Sequence, residues 1–155
     1  MMICEFKKEH LDDVYQLECD TFSQPWSREA LEKAINTPYA TFFVFELEGR
    51  AVGYIGMYTA SGEGSITNVA VKDTFRGRGI GSALISALIK KGEELGLEYI
   101  TLEVRRSNAI AQHTYKKLGF REMGVRRNFY SLPREDALIM NYFYFNEEKR
   151  EDTCN

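Results

Sequence analysis

Apolar residues along the chain alternate between two periods, and the switches outline the elements. Residues 1–6 read as a short strand, after which Leu11, Val14, Tyr15 and Leu17 recur at helical spacing. The segment Ser23-Gln24-Pro25-Trp26 breaks that pattern, and Ser27 is placed to cap a second helix. Glu29 then falls in its first turn, and Trp26 and Leu31 occupy the two positions of a hydrophobic staple. This helix is expected to end near Pro38. Residues 41–47 and 51–59 are rich in aromatic and β-branched side chains and flank Glu48-Gly49-Arg50, the pattern of a hairpin. A third strand of this group, about 65–71, follows the turn Gly62-Glu63-Gly64. From Ile80 the period returns to 3.6, with Leu84, Ala87, Leu88 and Leu95 on one face and Gly96 at the C-terminal cap. A strand over 99–104 follows, then a helix over 108–118 stopped by Gly119, then strands at about 120–126 and 137–145.

The order is strand, two helices, several strands, helix, strand, helix, two strands, which makes the chain mixed α/β. The helix between the strands ending at Val71 and Val104 predicts a right-handed parallel crossover, while the early strands can pair as antiparallel hairpins.

A length of 155 residues suits one domain, here expected over 1–145 with a charged, flexible tail over 146–155. A formal charge of -3 gives no electrostatic reason to expect nucleic acid. Cys4, Cys19 and Cys154 are few and widely spaced, so neither a disulfide framework nor a Cys-x-x-Cys site is written, and with only His10 and His113 no metal is expected. The sparse cysteines suit a reducing cytoplasm, and the N-terminus carries charges early with no apolar run long enough for a signal peptide or membrane span. A monomer is expected.

The most informative stretch is Val69-Ala70-Val71, a short connection, and then Arg76-Gly77-Arg78-Gly79-Ile80-Gly81-Ser82 opening a helix. Unpaired amides at a helix start, glycines that let an anion approach, and two arginines together suit a phosphate or pyrophosphate. No Gly-Lys-Ser/Thr follows, so the loop is not a Walker A sequence, and Ser82 breaks the dinucleotide fingerprint at its third glycine. A tight strand-to-helix turn without ligand is the alternative reading.

Alternation over 99–104 puts Glu103 opposite Ile100, Leu102 and Val104 in a strand expected to be central. A carboxylate there is costly unless paired or hydrated, and a raised pKa would make it a usable general base; a salt bridge to Arg105, Arg106 or Arg121 is the other reading. Tyr115 shares a helical face with Ala111 and Leu118, the position of a core aromatic, and Asn108 can be a helix N-cap.

The loop positions Arg76, Gly79 and Gly81 match the pyrophosphate-loop pattern of the GNAT acetyltransferase superfamily, which the chain resembles. Leu102-Glu103-Val104-Arg105, Asn108, Tyr115, Leu118-Gly119-Phe120, Arg126-Arg127-Asn128-Phe129-Tyr130 and Glu135-Asp136-Ala137 extend the resemblance to the ribosomal-protein-alanine N-acetyltransferases within it. The similarity runs from Pro25 to about Met140, and Phe129 stands where that pattern has the first of two tyrosines. The resemblance implies one mixed, mostly antiparallel sheet of six to seven strands flanked by about four helices. An acetyl-CoA cleft would lie between the central parallel strands. It also implies acetyl-CoA as donor, contacts to it from residues 69–71, 76–82 and Asn108, Glu103 as base and Tyr115 as the acid that protonates the departing thiolate. The implied acceptor is the N-terminal alanine of a small-subunit ribosomal protein, with Arg126, Arg127 and Tyr130 as candidate lining of a peptide groove.

The chemistry is consistent with that acceptor. Reference pKa values of about 7.8 for an α-amine and 10.4 for lysine make the neutral lysine amine roughly 400-fold scarcer near neutrality. A lysine or polyamine acetyltransferase, a non-catalytic acyl-CoA sensor and a scaffold for translation or tRNA-modifying proteins are the competing readings.

Overall fold

The computed structural model describes residues 2–145, so the expected tail over 146–155, with Cys154, lies outside the described residues. The elements in chain order are β1 (Met2–Glu5), α1 (Leu11–Thr21), α2 (Arg28–Ile35), β2 (Ala40–Leu47), β3 (Arg50–Ala60), β4 (Glu63–Val71), α3 (Ile80–Glu94), β5 (Tyr99–Arg105), α4 (Ala109–Lys117), β6 (Arg121–Ser131) and β7 (Arg134–Phe143). Single 3-10 turns at Lys8–His10 and Asp73–Phe75 precede α1 and α3. The strands form one seven-stranded sheet in the order β1-β2-β3-β4-β5-β7-β6. The pairs β1/β2, β2/β3, β5/β7 and β6/β7 are antiparallel, and β4/β5 is parallel, as the crossover through α3 requires. The sheet and its four helices are those expected from the sequence.

By internal contacts the chain forms two compact units, Met1–Thr59 with Ile66–Leu88 and Ala60–Ser65 with Ile89–Asn155. In the first, α1 and α2 cover one face of the early strands. Leu11, Val14 and Leu17 of α1 and Leu31 and Ala34 of α2 pack with Phe6, Phe42, Val44 and Tyr54. Phe6 meets Phe42 and Tyr54 edge-on, with centroids 6.1 and 6.3 Å away. Tyr15, on the same periodicity, is exposed; the fourth buried position of α1 is Glu18. Ser27 caps α2 by accepting from Ala30 N at 3.1 Å, and Trp26 packs on the cluster that contains Leu31, as the staple predicts. Helix α2 stops at Ile35, short of Pro38, because Asn36 and Thr37 turn their side chains back to the carbonyls of Glu32 and Lys33.

Helix α3 buries Ile80, Leu84, Ile85 and Leu88, the last two leucines completely, at about 1.5–3 kcal/mol each. Leu95, expected on that face, is exposed. Gly96, at φ +70, ends the helix in a Schellman turn, with Gly96 N to Glu93 O and Leu97 N to Gly92 O, and it is Leu97 that turns inward. The turn before β4 is Ser61-Gly62 rather than Gly62-Glu63-Gly64, so the strand begins at Glu63.

In the second unit, β5 alternates as expected, with Ile100, Leu102 and Val104 buried. Strand β6 runs to Ser131 and β7 begins at Arg134, so the arginine-rich segment is strand, not the loop after one. Strand β7 ends at Phe143. Register explains how a strand holds that segment: Arg126 faces Ala137 and Tyr130 faces Glu135, leaving residues 127–129 bulged opposite Asp136 alone. Asn128, at φ +55, makes the bend, and its amide donates to Asp136 Oδ1 at 2.9 Å.

Candidate active site

Each unit carries one half of the residues singled out from the sequence. In the first, β4 ends in Val69, Ala70 and Val71, with Ala70 buried and the valines half-buried. The chain passes through the Asp73–Phe75 turn and Arg76 to Gly77 and Gly79, which both adopt positive φ, near +77°. Helix α3 then starts at Ile80, and its first bond back to the loop is Ala83 N to Gly79 O at 3.0 Å. The amides ahead of Ala83, those of Ile80, Gly81 and Ser82, have no intrahelical acceptor. This is the donor set a pyrophosphate needs, with the positive end of the helix dipole behind it.

The glycines separate the two readings of this loop. At Gly77 and Gly79 the backbone itself requires glycine, which a tight turn would explain. Gly81 is different: it is helical, and a Cβ there would meet only Val71 Cγ2 at 3.9 Å, an ordinary contact. Nothing in the chain excludes a side chain at 81, so its absence fits an anion that must come close to the helix start. The two arginines are held ready. Arg76 pairs with Asp73 at 2.9 Å and reaches Val71 O, and Arg78 lies 5.0 Å over Phe75.

In the second unit, Glu103 on β5 pairs in register with Ile139 of β7. It is less buried than the sequence suggests, its side chain being 24% exposed, and the cation beside it is Arg126, at 3.5 Å. None of the three arginines expected as partners fills that role. Arg105 turns to Glu135 at 3.3 Å and to the carbonyls of Pro133 and Leu132, and Arg106 pairs with Asp136 at 3.7 Å. Arg121, at the far end of β6, is likewise not the partner. The sheet explains the choice: Arg105, Ala137 and Arg126 lie across from one another on successive strands, so Arg126 shares a face with Glu103 and reaches it diagonally.

Tyr115 projects from α4 with its ring 5.8 Å from that of Phe120. Burial, and then the neighbouring Tyr130, push its phenol up to about 12. The raised value keeps the phenol protonated near neutral pH. Tyr130 joins the two candidates. It influences the proton of Tyr115, is itself influenced by Glu103, and has the Arg105 guanidinium 4.2 Å over its ring. Its phenol is also raised, chiefly by burial. The unit thus assembles Glu103, Tyr115, Arg126 and Tyr130, whereas Arg127 points to solvent without joining them. Asn108 is the N-cap of α4, accepting from Ala111 N at 3.1 Å, as its residue type alone would give.

Two features escaped the sequence reading. Glu18 is completely buried and accepts hydrogen bonds from three elements; its position seven residues after Leu11 and four after Val14, on an otherwise apolar face, was the available signal. Cys4, His10 and Glu46 also converge, with potential ligand atoms within 4.8 Å of one another. His10 Nδ1 accepts from Lys7 N at 3.0 Å, so the proton of the neutral ring is on Nε2, aimed at Glu46 at 3.3 Å. That leaves no imidazole lone pair for an ion, and the cluster reads as a hydrogen-bonded core contact. Among the described residues no helix is long and apolar enough to cross a membrane.

The model of the acetyltransferase (GNAT) family matches residues 11–120. The chain is 37% identical over 133 residues to a Bacillus subtilis protein provisionally named [ribosomal protein bS18]-alanine N-acetyltransferase, covering 85% of this chain and 88% of that one. It is 33% identical over 132 residues to the Escherichia coli K12 [ribosomal protein bS18]-alanine N-acetyltransferase, covering 84% and 88%. The crystal structure of the Escherichia coli ribosomal-protein-S18-alanine N-acetyltransferase superposes with a TM-score of 0.84 at 30% identity, over 94% of this chain and 96% of that one.

Proposed function

The chain belongs to the acetyltransferase (GNAT) family and is an N-acetyltransferase, and from that premise we propose that its acceptor is the N-terminal α-amine of a protein, an N-terminal alanine of a small-subunit ribosomal protein. The observation that carries the catalytic part of this reading is the cluster in the second unit. A carboxylate beside an arginine and a tyrosine held in its protonated form are the base and acid that amine acylation needs.

Acetyl-CoA supplies an activated acyl carbon as a thioester. The amides of residues 80–82 and the arginines 76 and 78 hold its pyrophosphate, with Gly77, Gly79 and Gly81 leaving room. Amides at Val69 to Val71 take the thioester carbonyl and favour the charge that grows on it. Glu103, directly or through one water, removes a proton from the acceptor ammonium so that the nitrogen lone pair is free to attack. Tyr115 gives its proton to the departing sulfur, and the second proton, released by the nitrogen as the amide forms, restores the phenol. No covalent enzyme intermediate enters; Cys19 is exposed and Cys4 donates to Glu46, so neither is prepared as a nucleophile.

The identity of the relatives favours the α-amine over lysine. The test is steady-state transfer to two matched peptides, one with a free N-terminal alanine and blocked lysines, one with a blocked N-terminus and a free lysine. The reading predicts turnover of the first. Turnover of the second alone would retain the family and the chemistry but overturn the acceptor.

A further inference from the structure

Two carboxylates that the chemistry above leaves unused, Glu135 and Asp136, stand side by side near the start of β7. Neighbours in a strand face opposite sides of the sheet, so the two reach out in different directions. Both nevertheless bond the same short turn, residues 105–107, where β5 gives way to α4. Glu135 accepts from Arg105 Nη1 at 3.3 Å on Oε1 and from the Ser107 amide at 2.8 Å on Oε2. Asp136 accepts from the Arg106 amide at 3.1 Å through its main-chain carbonyl, and its Oδ2 lies 3.7 Å from the Arg106 guanidinium. Three consecutive residues are thereby fastened to two. The Ser107 hydroxyl first, and then the Ser107 amide and the Arg105 guanidinium, hold the Glu135 carboxyl below its ordinary value, against desolvation.

Each end of this tie leads to the catalytic cluster of the second unit. On one side, Ser107 runs directly into Asn108, the N-cap of α4, and Gln112 of that helix donates back to the carbonyls of Arg105 and Arg106 at 3.0 and 2.8 Å. Tyr115 follows three residues after Gln112, on the same helical face. On the other side, the Arg105 guanidinium is spread between Glu135 and the carbonyls of Pro133 and Leu132, at 3.0 and 3.2 Å, and lies 4.2 Å over the ring of Tyr130. Asp136 Oδ1 holds the bulge before Tyr130 through the Asn128 amide. One carboxylate, Glu135, therefore joins the start of the helix that carries Tyr115 to the cation that packs on Tyr130. Partly solvated ion pairs of this kind add little to stability, and what they set is position.

We infer that Glu135 is a positioning residue for the proton transfer: by joining Ser107 to Arg105 it fixes the start of α4 against Tyr130, and with it the hydroxyl of Tyr115. The inference rests on the reading of Tyr115 as the acid. Glu135→Gln is the informative change. The amide oxygen of a glutamine can serve Ser107 or Arg105, while its NH2 offers nothing to the other, because both are donors. One arm comes loose with the size of the side chain kept.

The experiment measures steady-state kinetics of the full chain, Glu135→Gln, Tyr115→Phe and the double variant, with the free-N-terminus alanine peptide and acetyl-CoA each varied in turn. The expected result is a kcat lowered about tenfold or more in Glu135→Gln, with both KM values within about twofold. In the Tyr115→Phe background the same change should cost less than about twofold further, since it acts through that hydroxyl. An unchanged kcat with a lowered melting temperature would make Glu135 a plain structural tie and overturn the inference, as would equal losses of kcat in the two backgrounds. If Glu135→Gln fails to fold, Glu135→Asp, which keeps the charge but withdraws it by one methylene, carries the same expectation and the same refutations. A Tyr115→Phe variant as fast as the unmodified protein refutes the acid assignment itself, and the inference falls with it. Should the unmodified protein not turn over the alanine peptide, the acceptor assignment fails instead, and the same comparison on the amine it does acetylate decides the role of Glu135.

Discussion

Arg126 reaches across β7 to place its Nη1 3.5 Å from Oε1 of Glu103, so the candidate base has a resident cation before any acceptor arrives. The pair is partly solvated, with Arg126 57% exposed, and such pairs contribute only about 0.2–1 kcal/mol. Arg126→Ala should therefore change the acceptor KM by no more than about fivefold, whereas Glu103→Gln should lower kcat by about 10²–10⁴-fold with acetyl-CoA binding intact. Kinetics paired with calorimetric titration of acetyl-CoA separate the two; equal losses in both variants would mean that the ion pair, not the base, matters.

Tyr115 gives a prediction in pH. Its folded-state pKa of about 12 lies above the unfolded value of 10.0, so the phenol stays protonated throughout the neutral and mildly alkaline range. The stability this contributes is present below pH 10 and lost only as pH rises through about 12. Tyr115→Phe should lower kcat by about 10²-fold or more while leaving acetyl-CoA affinity unchanged, and should do so evenly from pH 7 to about 10. An alkaline limb below pH 10 that vanishes in the phenylalanine variant would contradict the assignment.

Gly81 separates ligand binding from stability. Alanine there has room and a helical backbone, so Gly81→Ala should raise the stability of α3 by about 0.5–1 kcal/mol. If the proposed pyrophosphate site lies at this helix start, the same methyl would crowd it, so affinity for acetyl-CoA should fall. Thermal melts with and without acetyl-CoA show both effects: a higher melting point alone and a smaller shift with ligand. Undiminished affinity would return the loop to a plain turn.

Glu18, completely buried, should leave its mark on stability. Its folded-state pKa is raised above 4.5, so the native state holds this proton more tightly than the unfolded chain does. The corresponding stability is complete below the unfolded value and is lost as pH rises through the folded one. Relative to Glu18→Gln, the unmodified protein should therefore be more stable at pH 5 than at pH 7. Urea unfolding of both proteins at the two pH values would show a difference that narrows or reverses with pH; a flat difference would mean that Glu18 does not titrate in this range.

Much of this was legible in the sequence because it depended on neighbours along the chain. The Ser27 cap, the alternation of β5 and the glycine loop opening α3 are local patterns with local causes. What the sequence did not show came from pairing across the sheet. Arg126, not a nearer arginine, faces Glu103 because three strands put positions 105, 137 and 126 side by side. The bulge opposite Asp136 keeps residues 127–130 in β6, and no periodicity in the segment announces it. Leu97 is buried in place of Leu95 because Gly96, at positive φ, turns the backbone between them. Glu18 is buried beside the apolar positions of α1 without any local signal for its partners, because its donors are 8, 36 and 50 residues away.

The most direct test of the central claim is intact-protein mass spectrometry of isolated small ribosomal subunits, stripped of existing acetylation by expression in cells lacking this enzyme class and then incubated with the purified protein and acetyl-CoA. The account predicts a gain of one acetyl group on a single ribosomal protein, located by fragmentation at an N-terminal alanine, and no gain with Glu103→Gln over the same interval. Acetyl groups found on internal lysines, or spread over many proteins, would contradict it.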